Sequence, residues 1–451
     1  MFFPIKTLIR LATALIPAKR ARRSARRWLM DRERDARLDR ELPRIRRLYA
    51  AHECECRKKL ARGERLKIVF LLCDASMFSA EPVYAKMKDD SRFECSIVIA
   101  PRVTRGDEFL RETQSAAFDT LSQRYGKESV STLFDPNTGR KTPVDADIVF
   151  SSILYEDQSV PECAVSRLAE RSLVAVLYYG YGGLFISNER KTPHLPNVVF
   201  AWRYFVSNED TRRLNLAKNP RLADNMVVTG YAKMDRLAQV LKEVSPRTER
   251  KCVLLCPHHT IDREADGLAL STFLERADFF LRLPEKFPDV DFVFRPHPLL
   301  FPRLATPKWW GKERTDAYRV RLEAFPNVEF QQGGDYFATF AGSDAMIHDC
   351  GSFLAEYFYT GKPQCYLLTD ERTVEEQFLP PAKRMLEHSY KAFTDEQAED
   401  FVRRVVVEGI DPGREERGRF ARETVCVNHP DAAAAVVRTV MDALKGKEGE
   451  K

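Results

Sequence analysis

This sequence predicts a doubly wound α/β fold, with two Rossmann-like domains facing across a cleft and a basic helical arm in front. Short apolar runs alternate with helical segments over most of the 451 residues, the pattern of parallel sheets covered by helices. The alternation pauses once, at the polar, proline-containing stretch 244–251, and then restarts in the same style. The first 65 residues stand apart by charge: they hold 20 Lys/Arg against 8 Asp/Glu, so the rest carries −6 of an overall +6. The expected division is an arm over 1–65, a first domain over 66–243, a linker over 244–251, a second domain over 252–430, and a terminal helix and tail over 431–451.

The first domain opens on Lys67–Cys73, a strand that is apolar after its leading lysine and is stopped by Asp74-Ala75-Ser76, a helix opening. Further strands are expected over Cys95–Ala100, Asp147–Ser151, Leu173–Tyr179, Phe200–Val206 and Met226–Thr229. The second domain restarts with strand Val253–Cys256, a helix over Ser271–Leu283, and strands Asp291–Phe294 and Val328–Phe330. Ala345–His348 is the next strand, followed by a turn at Asp349-Cys350-Gly351. Ser352 then opens a helix of about nine residues that Gly361 and Pro363 stop, and Gln364–Leu368 is apolar again. That strand–turn–helix–strand unit is a parallel crossover.

Composition narrows the function. An apolar fraction of 44% with 29 Phe supports sizeable cores and excludes a disordered chain. A mildly acidic body argues against a nucleic-acid-binding core and leaves the arm as the contact with an anionic partner. The ten cysteines are scattered, several inside apolar runs, which suits a reducing cytoplasm without disulfides. Cys252 and Cys256 with His258 and His259 do not make a zinc site, because an i, i+4 pair on a strand is poor geometry and no second cysteine pair answers it. No metal and no cofactor is expected.

The arm reads as a membrane contact. Residues 2–16 are apolar but interrupted by Lys6 and Arg10, too short and too charged to span a bilayer and a poor signal peptide. Six basic residues in the nine of 19–27 follow, then Trp28. An apolar stretch joined to a basic cluster and an interfacial Trp suits a helix lying on an anionic membrane surface; a plain solvated basic helix is the alternative. Residues 32–62 continue as a charged helix whose apolar stripe, Leu38, Leu42, Ile45, Leu48 and Tyr49, is expected to pack on the body.

In doubly wound sheets ligands sit beyond the carboxyl ends of the strands, which selects the loops that matter. Leu173–Tyr179 ends in Gly180-Tyr181-Gly182-Gly183, where three glycines in four positions allow close approach of a ligand, although a tight turn explains them as well. Val253–Cys256 ends in Pro257-His258-His259, and Phe292–Phe294 in Arg295-Pro296-His297-Pro298. Of eight histidines, four (His258, His259, His297 and His348) sit at strand ends of the second domain. Imidazoles at such positions suit a base or a phosphate donor, so His258, His259 and His297 are the catalytic candidates. The Ser352 helix start suits a phosphate, with Glu356 one turn along, placed for a ribose; a plain capped helix is the alternative.

Three stretches then carry a resemblance: T-G-Y-A-K-M-D-R-L at 229–237, R-P-H-P at 295–298, and S-D-A-M-I-H-D-C-G-S-F-L-A-E at 343–356. Together they resemble the CDP-glycerol glycerophosphotransferase family, of the teichoic-acid polymerase and primase type, over roughly residues 170–370. Asp349, Ser352 and Glu356 fall on the positions of that family's D-Y-S-S motif and following acid, and Gly361-Lys362-Pro363 matches its close. The resemblance implies a GT-B fold and transfer of a polyol phosphate from a CDP-activated donor to a lipid-linked or glycan acceptor, at the cytoplasmic face of the membrane. It implies that Arg295, Asp349, Gly351, Ser352, Glu356 and Lys362 line the donor, with His297 near the diphosphate. Two motifs depart from the family. Its first-domain Trp-His-Gly loop corresponds to Tyr179-Gly180-Tyr181-Gly182, without a histidine, and its Pro-Thr-x-Arg loop to Pro257-His258-His259-Thr260. A glycosyltransferase using a nucleotide-sugar, or a non-catalytic scaffold of a polysaccharide assembly complex, are the rival readings.

Overall fold

The computed structural model describes residues 19–445 except 104–106, 135–140, 190, 246–248, 263–266 and 269, together with residues 7, 9 and 12–14. Much of the apolar start of the arm and part of the expected linker therefore lie outside the described residues.

The first domain is a seven-stranded sheet with strands β1 (Leu66–Leu72), β2 (Phe93–Ile99), β3 (Val130–Thr132), β4 (Ile148–Ser151), β5 (Leu173–Leu177), β6 (Arg203–Val206) and β7 (Met226–Val228). Their order is β3-β2-β1-β4-β5-β6-β7, every pairing parallel. The second domain holds β8 (Lys251–Cys256), β9 (Val290–Phe294), β10 (Val328–Phe330), β11 (Ala345–His348), β12 (Gln364–Leu367) and β13 (Tyr390–Ala392), in the order β10-β9-β8-β11-β12-β13. It too is parallel throughout. Both sheets reverse their winding direction beside their first strand, at β1/β4 and β8/β11, where such folds place ligands. Strands β4 and β5, and β8 after its exposed Lys251, are buried and mostly apolar because helices cover both faces.

The expected strands are all present, with ends shifted by up to three residues. The two strands absent from the sequence reading, β3 (V-S-T) and β13 (Y-K-A), are three-residue edges in polar surroundings and carry no apolar run to betray them. The helix after β11 runs Phe353–Glu356 and tightens into a 3₁₀ turn, Tyr357–Thr360, which Gly361 ends at φ 71°, a left-handed conformation that glycine adopts without strain.

From Lys19 onward the arm is one helix, α1 (Lys19–Ala61). Four residues of its predicted stripe, Leu38, Leu42, Ile45 and Tyr49, join the first-domain core with Cys56, while Leu48 is half-buried outside it. Tyr49 donates to the Phe200 carbonyl at 2.8 Å, and Trp202 Nε1 donates to Glu53 at 2.6 Å. Arg37 makes a two-pronged ion pair with Glu156 at 2.8 and 2.9 Å. Trp28 and Met30, before the docked part, are 57% and 45% exposed. No helix among the described residues is long and apolar enough to cross a membrane.

Helices α2 (Lys233–Glu243) and α3 (Ala432–Lys445) tie the two halves together. The α3 helix returns from the second domain, and its Ala432, Val436, Val440 and Leu444 belong to the first-domain core. Asp235 of α2 caps it, accepting from the Ala432 and Ala433 amides at 3.2 and 2.7 Å. A shared core runs the other way: Tyr181, Leu184, Phe185, Tyr231, Met234 and Leu237 cluster with second-domain residues. The Leu379 amide donates to the Leu184 carbonyl at 2.9 Å, and Phe185 stacks edge-on against Phe378.

Because α1 is part of a core, truncating its stripe should unfold more than the arm. Ile45→Ala is expected to cost about 2–5 kcal/mol in urea unfolding of the whole first domain. A loss under about 0.5 kcal/mol would show that α1 lies on the domain without stabilising it.

Candidate functional site

The second sheet brings three of the four strand-end histidines together. The loops after β8 and β9 are neighbours, since the Arg295 amide donates to the Leu255 carbonyl at 2.8 Å and the His297 amide to the Pro257 carbonyl at 3.0 Å. The ring centroids of His258 and His259 are 4.3 Å apart, those of His258 and His297 5.2 Å, and those of His259 and His297 3.9 Å in a stack. The Arg303 guanidinium closes the back of the cluster, donating to the His259 carbonyl at 3.0 Å. His348 is elsewhere: fully buried, it meets Gln364 at 3.0 Å and Tyr366 edge-on, and burial pulls its pKa down to about 4.

The hydrogen bonds fix how these rings face. Nδ1 of His297 accepts the Leu299 amide at 3.1 Å. Nδ1 of His258 accepts the Thr260 amide at 3.4 Å and sits 2.9 Å from the Thr260 hydroxyl, which itself accepts the Leu270 amide at 3.2 Å and so turns its proton to the ring. A neutral imidazole that accepts at Nδ1 carries its proton at Nε2. Both rings are neutral near pH 7. Burial, followed by the neighbouring His259 and His297, holds His258 far below the usual histidine range, and burial, followed by His259 and Arg303, lowers His297 to about 3. The cluster thus offers Nε2–H donors backed by a cation.

The ligating atoms of His258, His259 and His297 all lie within 4.8 Å of one another, a spacing that a metal ion could use. The surrounding bonds oppose that use. A metal-bound imidazole donates its second N–H to an acceptor, whereas His258 and His297 face backbone N–H donors there. The donor set fits an oxyanion.

The loop after β11 is held from within. Asp349 is fully buried and accepts from the His258 amide at 2.5 Å, the Thr272 amide at 2.6 Å and the Thr272 hydroxyl at 3.0 Å. A Cβ on Gly351 would come 2.8 Å from the Phe185 ring, so the residue's role there is close approach between the domains. Ser352 is exposed, and its hydroxyl makes no capping bond. Arg295 is buried, with its terminal nitrogens on Gln331 Oε1 and on the Gly333 and Gly334 carbonyls at 2.6–2.9 Å. Lys362 caps the end of a short helix, donating to the Phe340 and Ala341 carbonyls at 2.9 and 2.6 Å, and burial lowers its pKa to about 8. Glu356 is buried among Tyr231, Tyr336 and Lys233.

On the first-domain side, Gly180 and Gly182 flank Tyr181, which is buried with its hydroxyl between Asn208 at 2.5 Å and the Val425 carbonyl at 3.3 Å. Of the residues that sequence reading passed over, Tyr231 and Lys233 stand inside the 229–237 motif. Thr260, Thr272, Arg303 and Tyr336 carried no signal, because what they contribute is a partner for another residue.

No family model matches this chain, and no curated protein is significantly similar to it in sequence. Solved structures are similar in fold. UDP-GlcNAc 2-epimerase from Neisseria meningitidis, bound to UDP-GlcNAc, superposes at a TM-score of 0.56 with 14% identity, over 84% of this chain and 100% of that one. The wall teichoic acid polymerase TagF, soaked with CDPG, superposes at 0.52 with 11% identity, over 94% of this chain and 99% of that one. The MnaA–UDP structure from S. aureus gives 0.52 at 13% identity, over 86% and 100%. The fold is GT-B-like. In this GT-B-like frame the histidine cluster lies at the carboxyl end of the second sheet, beside its winding reversal.

Neutral, buried histidines leave a mark on acid stability. The unfolded chain binds protons at these rings below about 6.5 and the folded chain does not until about pH 3 at His297, so stability is complete above 6.5 and drains away as pH falls through that window. Each such histidine contributes a slope of at most about 1.4 kcal/mol per pH unit. Urea midpoints of His297→Gln should show a shallower acid limb than wild type; identical limbs would mean that the ring is not held neutral.

Proposed function

We propose that this chain is a transferase that moves a polyol phosphate from a CDP-activated donor to a hydroxyl of a lipid-linked or glycan acceptor, in the assembly of a cell-surface polysaccharide. The observation that carries the reading is the pair of Nε2–H donors, on His258 and His297, with Arg303 behind them at the carboxyl ends of β8 and β9. In the proposed reaction the acceptor oxygen bonds to the β-phosphorus and the bond to CMP breaks. The negative charge that gathers on the leaving phosphate needs fixed donors, and such donors act most strongly where water is excluded.

The same hydrogen bonds support a division of roles among the candidates. His258 and His297 turn their lone pairs inward to backbone amides, so they serve as donors to the diphosphate. The general base is assigned to His259, whose ring stacks on His297 at 3.9 Å, in place of the histidine missing from the Tyr179–Gly182 loop. Ser352, exposed beside Gly351, reaches the donor directly. Arg295, Asp349 and Lys362 act by shaping the loops around it, since the chain already uses their polar groups.

A transfer assay with CDP-polyols and nucleotide-sugars tests the reading. It expects CMP release and a phosphodiester product; a glycoside would point to sugar transfer, and binding without turnover to a scaffold. Single His258→Ala and His297→Ala changes should each weaken CDP binding about tenfold or more, as for a lost hydrogen bond to a charged group. His259→Gln should instead lower turnover by roughly 10²–10⁴ while CDP affinity holds. Equal effects of all three on affinity would remove His259 as the base.

The arm is proposed to hold the enzyme on the inner face of the cell membrane, where a lipid-linked acceptor is found. Its exposed Trp28 and Met30 and the basic run 19–27 support this reading. The protein should sediment with phosphatidylglycerol vesicles, less so at high salt, and not with phosphatidylcholine vesicles. Deletion of residues 1–30 should abolish sedimentation; sedimentation that survives the deletion would contradict the assignment.

A further inference from the structure

The position of Glu356 on the helix after β11 suggested a ribose contact, but its carboxylate is already spoken for. The side chain is 1% exposed. Oε2 accepts the Tyr336 hydroxyl, while Oε1 lies 3.1 Å from the Tyr231 hydroxyl and 3.5 Å from Lys233 Nζ. Lys233 also donates to the Tyr336 hydroxyl at 2.6 Å and lies 5.0 Å over its ring. Tyr231 and Lys233 come from the end of the first sheet, Tyr336 and Glu356 from the second domain. The carboxylate is therefore an interdomain joint.

Tyr231 extends the joint to the acceptor-side loop. Its hydroxyl lies 2.9 Å from the Tyr179 carbonyl as well as 3.1 Å from Glu356, and its ring meets Tyr181 edge-on at 5.8 Å. A phenol has one proton, and both of these neighbours are acceptors. The hydroxyl must share its proton between the loop and the carboxylate, which couples the position of Tyr179–Gly182 to the second domain. We propose that Glu356 is a positioning residue: through Tyr231 it registers the Tyr179–Gly182 loop against the donor domain and makes no ribose contact. What the loop then presents to an acceptor rests on the transferase reading above; the joint itself does not.

Two measurements on the intact protein separate these statements: hydrogen exchange at amides 178–183, and calorimetric titration with CDP. Glu356→Gln keeps the shape and removes the charge. It is expected to speed exchange at 178–183 about tenfold, the size of one lost hydrogen bond to a charged group, with CDP affinity unchanged. Tyr231→Phe should reproduce the local change with the carboxylate intact, which guards against a Glu356→Gln protein that folds poorly. Weakened CDP binding with unaltered exchange at 178–183 would overturn the proposal in favour of a ribose contact, and faster exchange throughout the second domain would reduce Glu356 to a stability role. Failure of the wild-type protein to bind CDP would count against the transferase reading alone, leaving the exchange result to decide the joint.

Discussion

One buried carboxylate, that of Asp349, sets the shape of the second domain's ligand end. It takes three hydrogen bonds, from the His258 amide and from the amide and hydroxyl of Thr272, and so pins the loop after β8 and the start of the following helix to the end of β11. Those amides would be left without partners in a buried place if the carboxylate were lost, at a cost of about 1–3 kcal/mol each. Burial raises the Asp349 pKa to about 6 while the three bonds work against that rise, a tension that only a fixed loop geometry sustains. With the His258 backbone fixed, its ring is fixed too, through Thr260, and the His259 and His297 rings pack on it. The donor cluster is thus a consequence of the way three loops are sewn together beneath it.

The same economy appears in the joint between domains. The two halves meet through apolar contacts at Leu184, Phe185 and Phe378, but their polar registration runs through Glu356, Tyr231, Tyr336 and Lys233. The α3 helix crosses back from the second domain and completes the first core, so the first half is not closed by its own continuous segment. A two-domain protein built this way has its cleft defined by the crossing elements as much as by the sheets.

Much of the fold was legible because parallel sheets write themselves as apolar runs. K-I-V-F-L-L-C at 67–73 and V-L-L-C at 253–256 leave little choice, and the order of strands and helices follows from such runs. β3 and β13 were not legible, since three-residue edge strands need no apolar stretch. At the site, the residues that could be named in advance were the histidines, because their chemistry is unusual at strand ends. Their orientation could not be read, since it depends on Leu299 and Thr260 amides two residues further on and on a threonine with no distinguishing mark. Arg295, Lys362 and Glu356 stood where a ligand would need them and carry suitable charges, yet each is engaged by groups distant in sequence, such as Gly333, Phe340 and Tyr231. Position along the chain identified the neighbourhood; only three-dimensional partners show which polar atoms are already used.

His258 and His297 are proposed to be neutral rings that present Nε2–H to an anionic ligand. Nitrogen-15 spectra of histidine-labelled protein at pH 7, assigned with single His→Gln variants, test it directly. The geometry predicts the Nε2–H tautomer for both rings, with both Nε2 resonances moving when CDP is added. A Nδ1–H tautomer or a doubly protonated ring at either position, or two Nε2 resonances indifferent to CDP, would contradict it.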